Sequence, residues 1–243
     1  MAGKIQKKHF KSLAVIIAAT VLIVIGSTMA FFTSSDETTN KFIGSRFDIV
    51  LFETKWDPEK AKDVVPGDEL DKNPQVYNAE RTSGYVYLRV TVPCDSQMVD
   101  NDDGTAKGTV GDGVPMYKFM VAQGTDPQTY AVNTEFSPKQ AANSDWQLVT
   151  IDNPNYTRYD REKQQYIYVY AYASGGELTM LRKGDLTTPL FDKIRLWNFN
   201  EDFDPEKSHN VLVEAFGIQA DLTGYTPDQI PEIWAVLEGE DGG

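Results

Sequence analysis

Cysteine and histidine are almost absent from this chain of 243 residues, which has 1 Cys and 2 His. A single cysteine, Cys94, excludes an internal disulfide, a CxxC redox pair and a cysteine-rich zinc site. The histidines are His9 and His209, and no HExxH sequence occurs, so the usual histidine-based metallopeptidase site cannot be built. GxSxG, GxxxxGK[ST] and GxGxxG are also missing, which removes the nucleophile elbow and the phosphate-binding loops. Positive charge is scarce: 23 Lys and Arg face 36 Asp and Glu, a net of −13. Nucleic-acid binding needs the opposite balance. Long runs of helical periodicity are lacking in the middle of the chain, which argues against βαβ units and a nucleotide-binding α/β fold.

The scarce positive charge is placed unevenly. Residues 1–30 hold Lys4, Lys7, Lys8 and Lys11 and no acid, leaving 19 basic against 36 acidic residues in the remainder. The lysines precede an apolar run at 13–25, and Gly26, Ser27 and Thr28 break it. Small residues at Thr28 and Ala30 suit a signal-peptidase site, so the direct reading is cleavage between Ala30 and Phe31. The competing reading is an uncleaved anchor, because the uncharged stretch 12–35 is long enough to span a bilayer. Both readings keep the lysines in the cytoplasm and export the rest. Outside the cell, the lone Cys94 reads as a buried or idle thiol, with an intermolecular disulfide as the sharper alternative.

After residue 40 the dominant signal is alternation with period two. Phe47, Ile49 and Leu51 alternate with Asp48, Val50 and Phe52; Val86, Leu88, Val90 and Val92 alternate with Tyr85, Tyr87, Arg89 and Thr91. A third stretch sets Ile167, Val169, Ala171 and Ala173 against Tyr166, Tyr168, Tyr170 and Tyr172. Segments 116–123, 146–151, 190–197 and 211–220 also read as strands, and 156–160 with 165–172 as a hairpin. The prediction is an all-β, antiparallel, jelly-roll-like sandwich of nine or ten strands. Its domains would be a signal peptide at 1–30, an extended segment at 31–46 and one sandwich at 47–243. Near the C-terminus Ile230, Ile233, Trp234 and Leu237 recur at helical spacing, with a capping box at Thr226–Gln229 and Gly239 as a stop. Pro231 is awkward inside such a helix. Asp57-Pro58-Glu59-Lys60 recurs as Asp204-Pro205-Glu206-Lys207, and Asp followed by Pro starts a helical turn.

Candidate chemistry is thin. His209 lies in a polar loop and reads as a solvent-facing residue. Asp100, Asp102, Asp103 and Asp112 gather oxygen ligands of the kind Ca²⁺ takes, but not at EF-hand spacing; a solvated loop is the plainer reading. Asn155-Tyr156-Thr157 matches a glycosylation sequon, a pattern common by chance. Tyr166, Tyr168, Tyr170 and Tyr172, with Tyr85 and Tyr87 on what reads as the equivalent face of another strand, are predicted to point to the outer side of a sheet. Cross-strand aromatic packing accounts for them; a contact surface for a neighbouring subunit or a glycan is the alternative.

Gly26-Ser27-Thr28-Met29-Ala30-Phe31-Phe32-Thr33 resembles the cleavage region of substrates of the SipW-type signal peptidase, and Thr38-Thr39-Asn40-Lys41-Phe42 approximates the T-x-N-x-F segment that follows in them. Trp56, Pro66-Gly67-Asp68, the stretch from Lys72 to Asn78, the strand Gly84–Val92, Ala215-Phe216-Gly217-Ile218-Gln219-Ala220-Asp221, and Trp234 with Leu237 follow in the same order. Together they resemble the TasA/camelysin-like family of secreted proteins of Gram-positive bacteria, over nearly the whole exported chain. The resemblance implies a jelly-roll subunit of biofilm-matrix or surface fibres, a homo-oligomer that polymerises by donor-strand exchange. The donor segment would begin at Phe31, with Phe31, Phe32, Phe42 and Ile43 as anchors. Camelysin-type members carry a peptidase description, which one exported histidine opposes, so no enzyme and no cofactor beyond the calcium candidate is expected. An adhesin for glycan or host protein is the remaining alternative. The acidic loop and the insertions up to Asp145 depart from the family pattern. Residues 226–243 show no LPxTG-type sorting signal, so sortase attachment is not expected.

Overall fold

The computed structural model describes residues 40–43, 47–61, 64–95, 98–100, 106–109, 114–122, 142–151, 156–197 and 210–239. In chain order the strands are β1 (Asn40–Ile43), β2 (Ile49–Phe52), β3 (Glu69–Asp71), β4 (Gln75–Asn78), β5 (Gly84–Asp95), β6 (Met98–Asp100), β7 (Ala106–Thr109) and β8 (Val114–Pro115). There follow β9 (Tyr117–Met120), β10 (Trp146–Leu148), β11 (Arg158–Asp160), β12 (Gln165–Ser174), β13 (Glu177–Leu178), β14 (Lys193–Leu196) and β15 (Leu212–Gln219). A 3-10 turn (Ala220–Leu222) and one helix, α1 (Ile230–Gly239), end the described chain. No helix among the described residues is long and apolar enough to cross a membrane.

The main sheet runs β1-β15-β5-β12-β10, with β8, β11 and β13 attached to β5 and β12. A second layer consists of β3-β14-β9 and the pair β2-β4. Side chains from both layers meet in one core that includes Ile49, Val76, Leu88, Val90, Phe119 and Ile194. Among the described residues every strand pairing is antiparallel except one: β1 joins β15 in parallel. The fold is thus the expected all-β sandwich with a short C-terminal helix.

The middle of the main sheet departs from the expected half-buried alternation. From Tyr85 to Val92 every apolar residue of β5 is buried, and so is each residue of β12 from Ile167 to Ala171. Such strands are covered on both faces. The second layer covers one face. On the other, Ile230, Ile233, Trp234 and Leu237 of α1 pack with Tyr87, Val169, Phe216 and Ile218. The Trp234 ring lies 5.6 Å from Tyr87 and 5.0 Å from Phe216, and the Tyr87 hydroxyl donates to the Ile230 carbonyl at 3.1 Å. Burying four such side chains contributes about 1.5–3 kcal/mol each.

Pro231 fits because α1 starts at Ile230, where a missing N–H leaves no intrahelical bond unmade. The Thr226–Gln229 box forms one turn earlier: the Gln229 side-chain oxygen accepts the Thr226 N–H at 3.1 Å. In the hairpin β11–β12, Asp160 accepts the backbone N–H groups of Glu162 and Lys163 at 3.1 and 3.0 Å. Gln164 takes a φ of 51° to close the turn. Asp57 similarly accepts the Glu59 N–H at 3.0 Å. The second copy of that tetrapeptide, like His209, lies outside the described residues.

Candidate functional site

The N-terminal segment meets the sandwich at a sheet edge. In β1, Asn40, Lys41, Phe42 and Ile43 pair with Ala215, Phe216, Gly217 and Ile218 of β15. Two of the sequence-derived anchors, Phe42 and Ile43, therefore belong to a strand on this edge. Phe31, Phe32 and the cleavage point at Ala30 lie outside the described residues. β15 runs on to Leu212, and β1 covers only its Ala215–Ile218 stretch. A parallel edge strand of four residues contributes few hydrogen bonds, and parallel pairing is slightly weaker per residue than antiparallel.

Phe47 fixes the chain just beyond β1. Its ring is buried in the inter-sheet core and rests on two glycines of adjacent strands. A Cβ on Gly217 would stand 2.7 Å from the ring, and one on Gly84 would stand 2.6 Å from it. Side chains at these two positions would occupy the space the ring fills, so the glycines serve close approach. The alternation pattern marked Phe47 as inward-facing but gave it no special role. The two glycines inside apolar strands were the signal that could have singled it out.

The tyrosine expectation is corrected by the strand register. Tyr168 pairs with Val90 and Tyr170 with Leu88, whereas Tyr87 pairs with Ala171 and Phe216. Residues directly opposite each other point to the same face. The β12 tyrosines therefore share the inter-sheet face with Leu88 and Val90, while Tyr85 and Tyr87 lie on the helix side. Nor is the inter-sheet face an outer one: Tyr168 and Tyr170 are buried against Phe119, at ring separations of 5.6 and 6.5 Å. Tyr85 and Tyr87 are buried as well, and only Tyr166 and Tyr172 are half-buried. Desolvation holds the phenols of Tyr168 and Tyr170 well above their ordinary pKa. The two layers stand about 10 Å apart, and large rings fill that space. The small partners Ala171 and Ala173 face the helix side, where Trp234 and Tyr87 supply the volume.

Beyond the reach of α1, the helix-side face of the main sheet opens into a cleft of about 780 Å³. Its floor comes from Thr91, Ile167 and Leu212. At one wall the Arg89 guanidinium grips Glu214 through two hydrogen bonds of 2.7 and 2.9 Å and lies 4.7 Å over the Phe216 ring. Arg158 reaches Glu238 at the end of α1 at 2.7 Å. Arg161, Glu162 and Lys163 of the hairpin turn form the opposite rim. No local pattern in the sequence marks this cleft, because Arg89 and Glu214 become neighbours only when β5 and β15 pair.

No family model matches the chain, and no curated protein matches it. Among solved structures, a type II cohesin domain from the cellulosome of Acetivibrio cellulolyticus is similar at 13% identity, covering 70% of this chain and 84% of that one, with a TM-score of 0.21.

Cys94 is buried, with its sulfur 3.7 Å from the Tyr159 hydroxyl. Desolvation first, then the contact with this thiol, pushes the Tyr159 phenol up to about 12. Of the acidic calcium candidates, Asp100 ends β6, while Asp102, Asp103 and Asp112 lie outside the described residues. Among the described residues no group of three or more His, Cys, Asp or Glu side chains is placed to hold a metal ion.

Proposed function

We propose that this chain is an exported, non-catalytic structural protein of the cell surface or biofilm matrix, whose N-terminal strand pairs with a neighbouring copy. The reading joins the TasA/camelysin-like resemblance to one observation: Asn40–Ile43 lies at the outer edge of the main sheet, on β15. An edge slot that one copy's strand fills can be filled by another copy's, because the backbone partners are the same. Self-pairing and exchange differ little in contact energy, so concentration and release of the N-terminus select between them. Phe47, seated on Gly84 and Gly217, would stay with its own sandwich, so that the exchanging segment ends before it. Processing by a SipW-type signal peptidase would free Phe31 and start assembly.

Size exclusion and electron microscopy of protein starting at Phe31, compared with protein starting at Phe47, test the reading. Fibres from the first and monomers from the second are expected. Monomers from both, at concentrations where the edge strand has a partner available, would remove strand exchange.

The cleft of Arg89, Arg158 and Glu214 favours a second reading, a binding module for glycan or protein. Binding of a soluble ligand by the chain starting at Phe47, abolished by Arg158→Ala and Arg89→Ala, would support that instead.

A further inference from the structure

Among the described residues, the most enclosed ion pair joins Lys72, just after β3, to Glu53, just after β2. The Lys72 side chain is 1% exposed and that of Glu53 11%. The ammonium nitrogen stands 2.8 Å from Oε1 and 2.9 Å from Oε2 of the carboxylate. The ammonium thus engages both carboxylate oxygens, with a hydrogen bond to Oε2 and an ion-pair contact to Oε1. The Trp56 ring closes the site, 4.3 Å from the nitrogen. A nitrogen this near to both oxygens lies about 3–3.5 Å from the carboxyl carbon between them, the separation of a near-attack pair.

We infer that Lys72 and Glu53 are the site of an intramolecular amide cross-link. The Lys72 nitrogen bonds to the Glu53 carboxyl carbon, and the bond from that carbon to one carboxylate oxygen breaks. That oxygen leaves as water with two of the three ammonium protons, and the third stays on the amide nitrogen. Charge balances, nothing is oxidised or reduced, and no co-reactant is needed. In bulk water the hydrated ions are favoured over the amide. Here both ions have lost most of their hydration, which is costly for charges in a protein interior, whereas the product is neutral. The fold also holds the reacting atoms together, replacing a bimolecular encounter. The cross-link would close the loop between β2 and β3, directly downstream of Phe47, and give a chain with 1 Cys a covalent tie that no disulfide can supply.

Denaturing intact-mass spectrometry of the exported full chain, referred to its measured N-terminus, tests this. The expected mass is one water below the sequence mass, and protease digestion should yield a branched peptide joining the Glu53 and Lys72 segments. Lys72→Arg should restore the full mass. A full mass in the unsubstituted protein, or a water loss that maps elsewhere or persists in Lys72→Arg, overturns the inference. If the variant does not fold, the branched peptide from the unsubstituted protein decides alone.

Discussion

The two faces of the main sheet are closed by different means. The inter-sheet face is closed by a second layer of strands along its length, with Phe119, Tyr168 and Tyr170 filling the gap and Phe47 plugged onto two glycines. The opposite face is closed over part of its length by α1, and where the helix ends it turns from Phe216 and Tyr87 to Arg89, Thr91 and Glu214. The same strands, β5, β12 and β15, supply both faces. A layer of strands can follow a long sheet, whereas a helix of 10 residues extends only about 15 Å and leaves the remainder to polar side chains. The difference separates a structural face from one with room for a ligand.

The largest effects are expected on removing one lid residue from each face. Phe47→Ala and Trp234→Ala should each lower the unfolding free energy by about 3–5 kcal/mol, read from denaturant melts. A loss below about 1 kcal/mol for Trp234→Ala would mean that α1 is not a true lid. Next in size is Glu214→Gln, which leaves a half-buried Arg89 without its carboxylate and should cost about 1–3 kcal/mol. A double-mutant cycle with Arg89→Gln would show the coupling, and additivity would indicate that the pair is incidental.

The Tyr117 phenol, in the inter-sheet core, is pushed up to about 12 by burial, and Tyr159 also to about 12. Their ordinary value is 10.0, so above it the unfolded chain loses protons that the folded chain keeps. The stability they contribute is full below pH 10 and is lost as the pH rises towards 12. Melting temperature should fall across that window, and Tyr117→Phe should flatten the fall. A variant with the same slope would remove Tyr117 as a cause. The smallest effect belongs to Arg158→Ala: its pair with Glu238 is largely exposed, so the loss should stay within about 1 kcal/mol by thermal melt.

Much of the architecture is legible in the sequence. The period-two stretches did mark β2, β5 and β12, the polar run after Asp160 did mark a hairpin, and the spacing of Ile230, Ile233, Trp234 and Leu237 did mark α1. The tyrosines show where that reading stops. Alternation assigns residues to two faces but does not say which face looks outward, and it cannot align one strand's faces with another's. Tyr87 and Tyr170 follow the same local pattern yet point to opposite sides, because the register pairs Tyr170 with Leu88. The cleft was illegible for a related reason, since its residues lie on strands far apart in the chain.

The scarcity of cysteine and histidine, the segregated N-terminal lysines, the β-rich periodicity and the C-terminal amphipathic helix are all readable along the chain. These are local or compositional properties, written in adjacent residues. The fold in three dimensions places β1 parallel on the edge of β15, seats Phe47 on Gly84 and Gly217, and brings Lys72 to Glu53 under Trp56. Each of these depends on strand register and on the packing of two layers, which bring together residues whose separation in the chain carries no local signal.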